Sequence, residues 1–365
     1  MVTRVTNTML TNTLLSNLSM NLGRMDKLQN QMSSGRKFGH ISDDPSALIY
    51  GQAARNKLAR LSHYQATVET AQSWLTQAEA GVMELNKVVG AVYEELVSAG
   101  SVKTDDDKQN LAKVVAQLRD HYLDTLNTSY GDRFVFGGYN TPGDFATGLP
   151  DSIKPFTIDA VTGNLLYNGF DLTQFDGMLK ADFDAGTVTG PPPAPQAEDF
   201  ERLRTLMGDL LSLDVGPGIS MDVTVNGIDL IFFTTKNEDG DPIVRSTFDL
   251  LQEVYLAING DPNAIPAPIP PKSTDELTKL IKLVQESQNH LLTKTAEIGG
   301  RQRRLELLEA RYETDALNYE KMRSDAEDAE MAEVIMFLKM AETVYQAALS
   351  AGARIIQPTL MDFLR

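Results

Sequence analysis

Residues 331–358 read MAEVIMFLKMAETVYQAALSAGARIIQP. Within this stretch Val334, Leu338, Ala341, Tyr345, Ala348, Gly352 and Ile355 recur at alternating spacings of four and three, the heptad seam of a single helix. Pro358 cannot continue that helix, and Ser324 with Glu327 three residues on reads as a capping box ahead of it. A one-sided helix of this kind needs another helix against its seam, from the same chain or from a neighbouring copy. Leu14, Leu18, Leu22, Met25, Leu28 and Met32 supply a second seam near the N-terminus, on a stretch otherwise rich in Asn, Ser, Thr and Gln. Helix propagation is close to neutral for ordinary residues, so order depends on the ~1.5–3 kcal/mol gained for each Leu-sized residue buried. Each end alone is marginal, and both are expected to become helical when copies stack.

Composition narrows the classes of function. The chain has 365 residues, enough for two or three domains, and a formal charge of -17. A phosphate backbone demands a basic surface, so nucleic-acid binding is excluded as the expectation. Cysteine is absent, which removes disulfides, thiol chemistry and Cys-based zinc sites. No apolar run approaches the ~18 residues of a membrane span. Residues 1–20 carry no contiguous apolar core of the secretory kind, so no cleaved signal peptide and no membrane insertion are expected.

Between the two ends the helical rhythm is long. After the Gly35-Arg36-Lys37-Phe38-Gly39 interruption, Asp44 before Pro45 marks a helix start. Val68, Ala71, Leu75, Ala78, Val82, Leu85, Val89, Val92 and Leu96 then sustain a heptad pattern that Gly100 closes. Thr104 with Asp107 opens the next helix, with Leu111, Val115, Leu118, Tyr122, Thr125 and Ser129 on one face, antiparallel to its predecessor. From residue 131 Gly and Pro punctuate short β pieces: 133–136, 156–158, and 165–167 before the Asn168-Gly169 turn. Phe200 to Leu213 reads as a short amphipathic helix, Met221–Val225 and Asp229–Phe233 as a hairpin joined by Asn226-Gly227, and Ile243 to Ile258 as a helix with Phe248, Leu251, Val254, Tyr255 and Ile258 inward. Proline-rich tracts at 190–195 and 260–271 read as spacers. Ser273 with Glu276 opens a last long pattern: Leu277, Ile281, Val284, Gln288, Leu291, Thr295, Ile298, Gln302, Leu305, Leu308, Tyr312, Ala316 and Tyr319.

The fold class that follows is mainly α with a β-rich insertion: an elongated antiparallel coiled-coil or helical-bundle rod formed by both chain ends, with a projecting α+β domain. The expected divisions are a terminal coiled-coil layer at 1–41 and 324–365, a helical bundle at 42–130 and 272–323, and a β-rich outer domain with short helices at 131–271.

No constellation supports catalysis, a cofactor or a metal. His40, His63, His121 and His290 lie far apart without metal-ligand spacing. Asp43-Asp44 and Asp105-Asp106-Asp107 stand at helix starts, where negative charge complements the macrodipole. Asn237-Glu238-Asp239-Gly240-Asp241 lacks the later Glu of a calcium loop and reads as a turn. Pro268–Pro271 reads as a spacer rather than a docking peptide, and Gly137-Gly138 as a turn rather than a nucleotide loop. The residues expected to carry function are the assembly seams: Leu14, Leu18, Leu22, Met25, Leu28 and Met32 on one end, Arg36 beside Lys37 in the hinge, and Val334, Leu338, Ala341, Tyr345, Ala348 and Ile355 on the other.

Several stretches resemble the flagellin superfamily. Arg4 to Met9, Gln31 to Lys37 and Ser42 to Pro45 resemble its N-terminal pattern, and Ala296 to Glu306 and Asp325 to Glu333 its C-terminal one. Arg133 to Tyr139, Gly218 to Pro262 and the closing Thr359 to Arg365 are more similar to the junction-protein branch than to flagellins proper; the proline-rich tracts depart from it. The resemblance implies a structural subunit of the bacterial flagellum, exported unfolded through the flagellar type III apparatus to the cell exterior. Its implied partners are copies of itself in a ring, the other hook-associated (hook-side) junction protein, flagellin, and a cytoplasmic export chaperone on the C-terminal helix. Two other readings stay open: a flagellin forming the filament itself, and a surface adhesin. The adhesin would need an aromatic-lined groove between residues 134 and 235, and the sole tryptophan, Trp74, lies elsewhere.

Overall fold

Asp44 starts the first of the two longest helices by accepting the backbone N–H groups of Ser46 and Ala47 on Oδ1 at 3.1 and 3.0 Å, with Pro45 in the first helical position. Those hydrogen bonds hold the Asp44 carboxyl below the usual carboxylate range, that from Ala47 most strongly. The computed structural model describes residues 7–40, 42–100, 104–131, 133–138, 154–159, 162–185, 195, 197–208, 210–259 and 274–356. In chain order these form α1 (Asn7–Ser34), α2 (Pro45–Ala99), α3 (Asp105–Leu126), β1 (Ser129–Tyr130), β2 (Arg133–Phe134), β3 (Phe156–Ile158), β4 (Leu165–Tyr167), β5 (Phe170–Asp171), a single 3-10 turn (Thr173–Phe175), α4 (Lys180–Ala185) and α5 (Ala197–Gly208). Then come β6 (Ser212–Gly216), β7 (Ile219–Asp222), α6 (Gly227–Ile231), β8 (Phe232–Lys236), β9 (Pro242–Ser246), α7 (Thr247–Asn259), α8 (Thr274–Glu327) and α9 (Met331–Ile356). The chain is mainly helical with a small β-rich middle, as the sequence led us to expect. Among the described residues no helix is long and apolar enough to cross a membrane.

Two units divide the chain: Tyr64–Glu309, and Met1–His63 with Ala310–Arg365. In the first, the α2 seam from Val68 to Leu96 is buried at all nine heptad positions read from the sequence. Helix α8 runs antiparallel to it. Gln285 Nε2 donates to the Tyr93 hydroxyl at 3.2 Å, and Gln72 Nε2 to Glu309 Oε2 at 2.8 Å. Val284, Leu291, Ile298 and Leu305 are buried from α8, while Gln288, Thr295 and Gln302 are half-buried. Helix α3 packs most closely on α7, with Val115, Tyr122 and Leu126 buried. Ser129, expected on its inner face, has left the helix for the exposed β1.

The β pieces at 156–158 and 165–167 are strands, paired antiparallel, and β4 returns to β5 through Asn168 (φ 49) and Gly169 (φ 77), the positive angles such a two-residue turn requires. Asn237 to Asp241 is the turn between β8 and β9, closed by Asp241 N–H on Asn237 Oδ1 at 2.8 Å. Three expectations fail in this region. Asn226-Gly227 is no hairpin turn: Asn226 (φ -72) caps α6, its Oδ1 accepting Ile228 N–H at 2.9 Å. β7 pairs with β6 and β8 with β9. Gly227 is needed for room instead, since its N–H donates to Phe136 O at 3.1 Å and a Cβ there would lie 2.9 Å from that oxygen and nearer still to the Phe156 ring. The 200–213 helix ends at Gly208, and Leu213 belongs to β6. The helix read from Ile243 begins at Thr247; Pro242–Ser246 is a strand, and Phe248, Leu251, Val254 and Ile258 are buried as expected while Tyr255 is half-buried. Apart from Pro195, the proline-rich tracts lie outside the described residues, as does Ser273.

The second unit holds α1, the start of α2, the end of α8 and α9. Here the Ser324/Glu327 capping reading is overturned. Both residues are in the last turn of α8, where Ser324 O accepts Asp328 N–H at 2.9 Å; α9 starts three residues later, with Glu330 O accepting Val334 N–H at 3.0 Å. The Glu327 carboxylate does not cap because Arg55 holds it, buried over Gly51.

Candidate assembly interface

Helices α1 and α9 lie antiparallel within the second unit. Leu28 is buried with Val334, Leu338 and Ala341, with Met25 and Phe337 packed alongside. At the other end of the pair Leu14 closes over Gly352, where an added Cβ would lie 2.6 Å from Leu14 Cδ2. The sequence-predicted positions on α9 all face this seam as far as they are described: Tyr345 and Ala348 are half-buried, and the Ile355 side chain falls outside the described residues. Within the chain the two seams cover each other.

On α1 the seam differs from the apolar pattern. It runs through Thr11, Leu14, Leu18, Asn21, Met25, Leu28 and Gln31, all buried or half-buried, while Leu22 and Met32 are 47% and 38% exposed. Asn21 holds the heptad position beside Leu22, and its Nδ2 donates to Ala341 O on the opposite helix at 3.0 Å. A polar residue that bonds across the seam fixes register, as a buried Asn does in coiled coils. The signal was present as the strict alternation of three and four from Leu14 to Leu28 through Asn21, but apolar Leu22 next to it masked the signal.

Below the seam the two helix breaks meet. Arg36 and Asp328 form an antiparallel bridge, Lys37 N–H donates to Glu327 O at 2.7 Å, and Ala329 N–H to Gly35 O at 2.8 Å. Gly35 (φ 69) makes the turn that allows this. The Arg36 side chain is exposed; that of Lys37 reaches Asp325 O. Asp43 anchors the same corner, taking Lys27 Nζ at 3.1 Å and the N–H groups of Gly39 and His40 at 3.2 Å, and the Lys27 ammonium first among these holds its carboxyl below the usual range.

The paired helices leave several large apolar residues uncovered among their polar ones. Leu15, Met20 and Leu22 on α1, and Ile335, Met336, Met340, Val344 and Leu349 on α9, are 46–64% exposed. Scattered exposed apolar residues are normal on any protein; here several lie on the same two helices.

Other candidate residues take structural places. His40, His63 and His121 are exposed, with His121 Nε2 3.4 Å from Glu84 Oε1. His290 is half-buried with Nε2 2.7 Å from Asp229 O, and burial pulls its pKa down. Among the described residues no group of three or more His, Asp or Glu is placed to hold a metal ion.

Comparison with known proteins agrees with this architecture. Residues 5–141 match the model of the bacterial flagellin N-terminal helical region. Flagellar hook-associated protein 3 of Escherichia coli is 23% identical over 89% of this chain and 88% of its own length. The Salmonella typhimurium protein of the same name is 31% identical, over 33% of this chain and 40% of its own length. The crystal structure of flagellar hook associated protein-3 from Legionella pneumophila shares the fold with a TM-score of 0.51, covering 75% of this chain and 99% of that one at 12% identity. The chain is thus similar to the flagellins over its N-terminal helical region and to the hook-associated protein 3 of Escherichia coli along most of its length.

Proposed function

We propose that this chain is a non-enzymatic structural subunit of the bacterial flagellum that joins the hook-side assembly to the filament, packing through its terminal helices. The observation that carries the reading is the α1–α9 pair: its inner seam is closed by the chain itself, and its outer faces keep Leu15, Met20, Leu22, Ile335, Met336, Met340 and Val344 in solvent. An apolar surface without catalytic or metal-binding side chains suits packing between subunits, and head-to-tail contacts that do not close on themselves build tubes. In this reading 1–41 with 324–365 form the terminal layer, 42–130 with 272–323 the helical bundle, and 131–271 the outer domain. One end of a ring of copies meets the hook-side junction protein and the other meets flagellin. Before export through the type III route, a chaperone covers the apolar C-terminal helix. A strain lacking the chain is expected to carry hooks without filaments and to release flagellin into the medium, as seen by electron microscopy. Normal filaments on that strain would overturn the assignment. Purified protein is expected to stop at short rings; unlimited polymers would make it a flagellin instead.

A further inference from the structure

Three segments of the Tyr64–Glu309 unit meet at the start of α7. Ser246 caps that helix, its Oγ accepting Asp249 N–H at 3.2 Å. In a capping box the acidic residue three positions on turns back to accept the N–H of the cap. Here that N–H is already taken, by Asp176 Oδ1 at 2.6 Å, and the same oxygen accepts Arg245 Nε at 3.1 Å. The other arm of Arg245 holds Glu253 at 2.8 Å. Asp171 is committed as well, to Thr173 N–H at 2.9 Å and Asn164 Nδ2 at 2.7 Å. Asp249 is the remainder. Thr173 Oγ1 reaches its Oδ1 only at 3.5 Å, and its Oδ2 is closed to solvent with no partner.

The local charge count is therefore one guanidinium, engaged twice, against the carboxyl groups of Asp171, Asp176, Glu253 and Asp249. From α3, which packs on α7, Arg119 is turned to Gln252 and Asp120, and Tyr122 is buried as a neutral phenol. A metal ion would answer an excess of carboxylates, but among the described residues no three of them are placed to hold one. A proton answers it more simply, by removing the charge of the carboxyl that no cation touches.

We propose that Asp249 is a proton-binding site that sets how firmly the 171–179 segment is held against β9 and the start of α7. That segment is attached by Asp176, by Thr173, and by the backbone pairs Gly177 N–H to Val244 O and Val244 N–H to Met178 O, each at 2.8 Å. Ionised Asp249 faces Asp176 and Asp171, both on the attached segment, and pushes them away; neutral Asp249 does not. In agreement, burial first and then the Asp176 charge raise the Asp249 pKa to about 7. The sign follows from linkage. A carboxyl with a raised folded pKa binds its proton in the docked state between pH ~4 and ~7 and not in the open one, so docking weakens as pH rises through that window and is constant above it. This inference does not depend on the assembly reading.

The test is amide exchange at Gly177, Val244 and Ser246 in the full-length protein, wild type beside Asp249→Asn at each pH. The ratio of wild-type to variant protection is expected to fall by up to about tenfold per pH unit toward pH 7 and then to level off. The carboxyl ¹³C resonance of Asp249 in the wild type should titrate near neutrality. A ratio that does not move with pH, or a carboxyl that titrates near pH 4, overturns the proposal.

Discussion

The Tyr64–Glu309 unit and the paired terminal helices are built from the same heptad rhythm and end in different states. In the first, Leu75, Leu85, Leu96, Tyr122, Phe233 and Phe248 are all fully buried. In the second, the most protected large side chains are Leu28, Val334 and Leu338 at 7–9% exposure, and the neighbouring apolar residues remain in solvent. Two helices can cover one stripe of each other and no more; a closed core needs a third wall. Periodicity alone does not distinguish the cases. Apolar residues beside the stripe are exposed in both, as Met83, Val97 and Leu292 are in the first and Ile335, Met336 and Met340 in the second; what differs is that the α2 seam is shut from solvent almost completely while the terminal seam is not.

The comparison can be broken most severely in the closed core. Leu85→Ala, at a position with no exposure, is expected to cost ~2–5 kcal/mol in urea unfolding, because the cavity cannot collapse between two long helices. Gly227→Ala comes next at ~1–3 kcal/mol by the same measurement, since the added methyl meets a backbone carbonyl that cannot swing aside. In the terminal pair the effects move from stability to assembly. Leu338→Asp places a carboxylate in the seam without a partner, so circular dichroism should show loss of the terminal helices only, the 64–309 unit staying folded, while incorporation into flagella is abolished. Asn21→Ala removes one cross-helix hydrogen bond and is expected to cost ~0.5–1.5 kcal/mol of pairing, read from amide exchange in α1. The smallest change in stability, within ~0.5 kcal/mol, is expected for Leu22→Ser, which lies outside the seam. If the outer face is the contact surface, that silent variant still loses incorporation; wild-type flagella from it would remove Leu22 from the interface.

Much of this was legible in the residues. All nine heptad positions of α2 are buried, and the described part of the C-terminal seam faces inward, because long helices with one apolar stripe leave few alternatives. The strands at 156–158 and 165–167 and their Asn-Gly turn also follow from sequence. The failures share a physical cause: short motifs whose residues can serve two purposes. Asn226-Gly227 offers positive-φ turn chemistry, yet Asn is equally a helix cap and Gly equally a contact point, and packing against Phe136 and Phe156 selects the second use. Ser324 and Glu327 match a capping box, yet a buried Glu beside an Arg forms an ion pair instead, and Arg55 lies far away in sequence. Asn21 is not legible from sequence because a polar residue in a seam identifies itself only by the bond it makes across it. The Asp249 carboxyl could not be read from sequence at all, since its isolation depends on Asp176 and Arg245 satisfying each other first.

The bridge between Arg36 and Asp328 has a mechanical consequence. The break between α1 and α2 and the break between α8 and α9 fall at one level, and the two are stitched backbone to backbone. Neither crossing can swivel alone. Torque applied to α1 is shared at once with α9, so the joint can flex as one plate while resisting the unwinding that a single unbraced loop would permit.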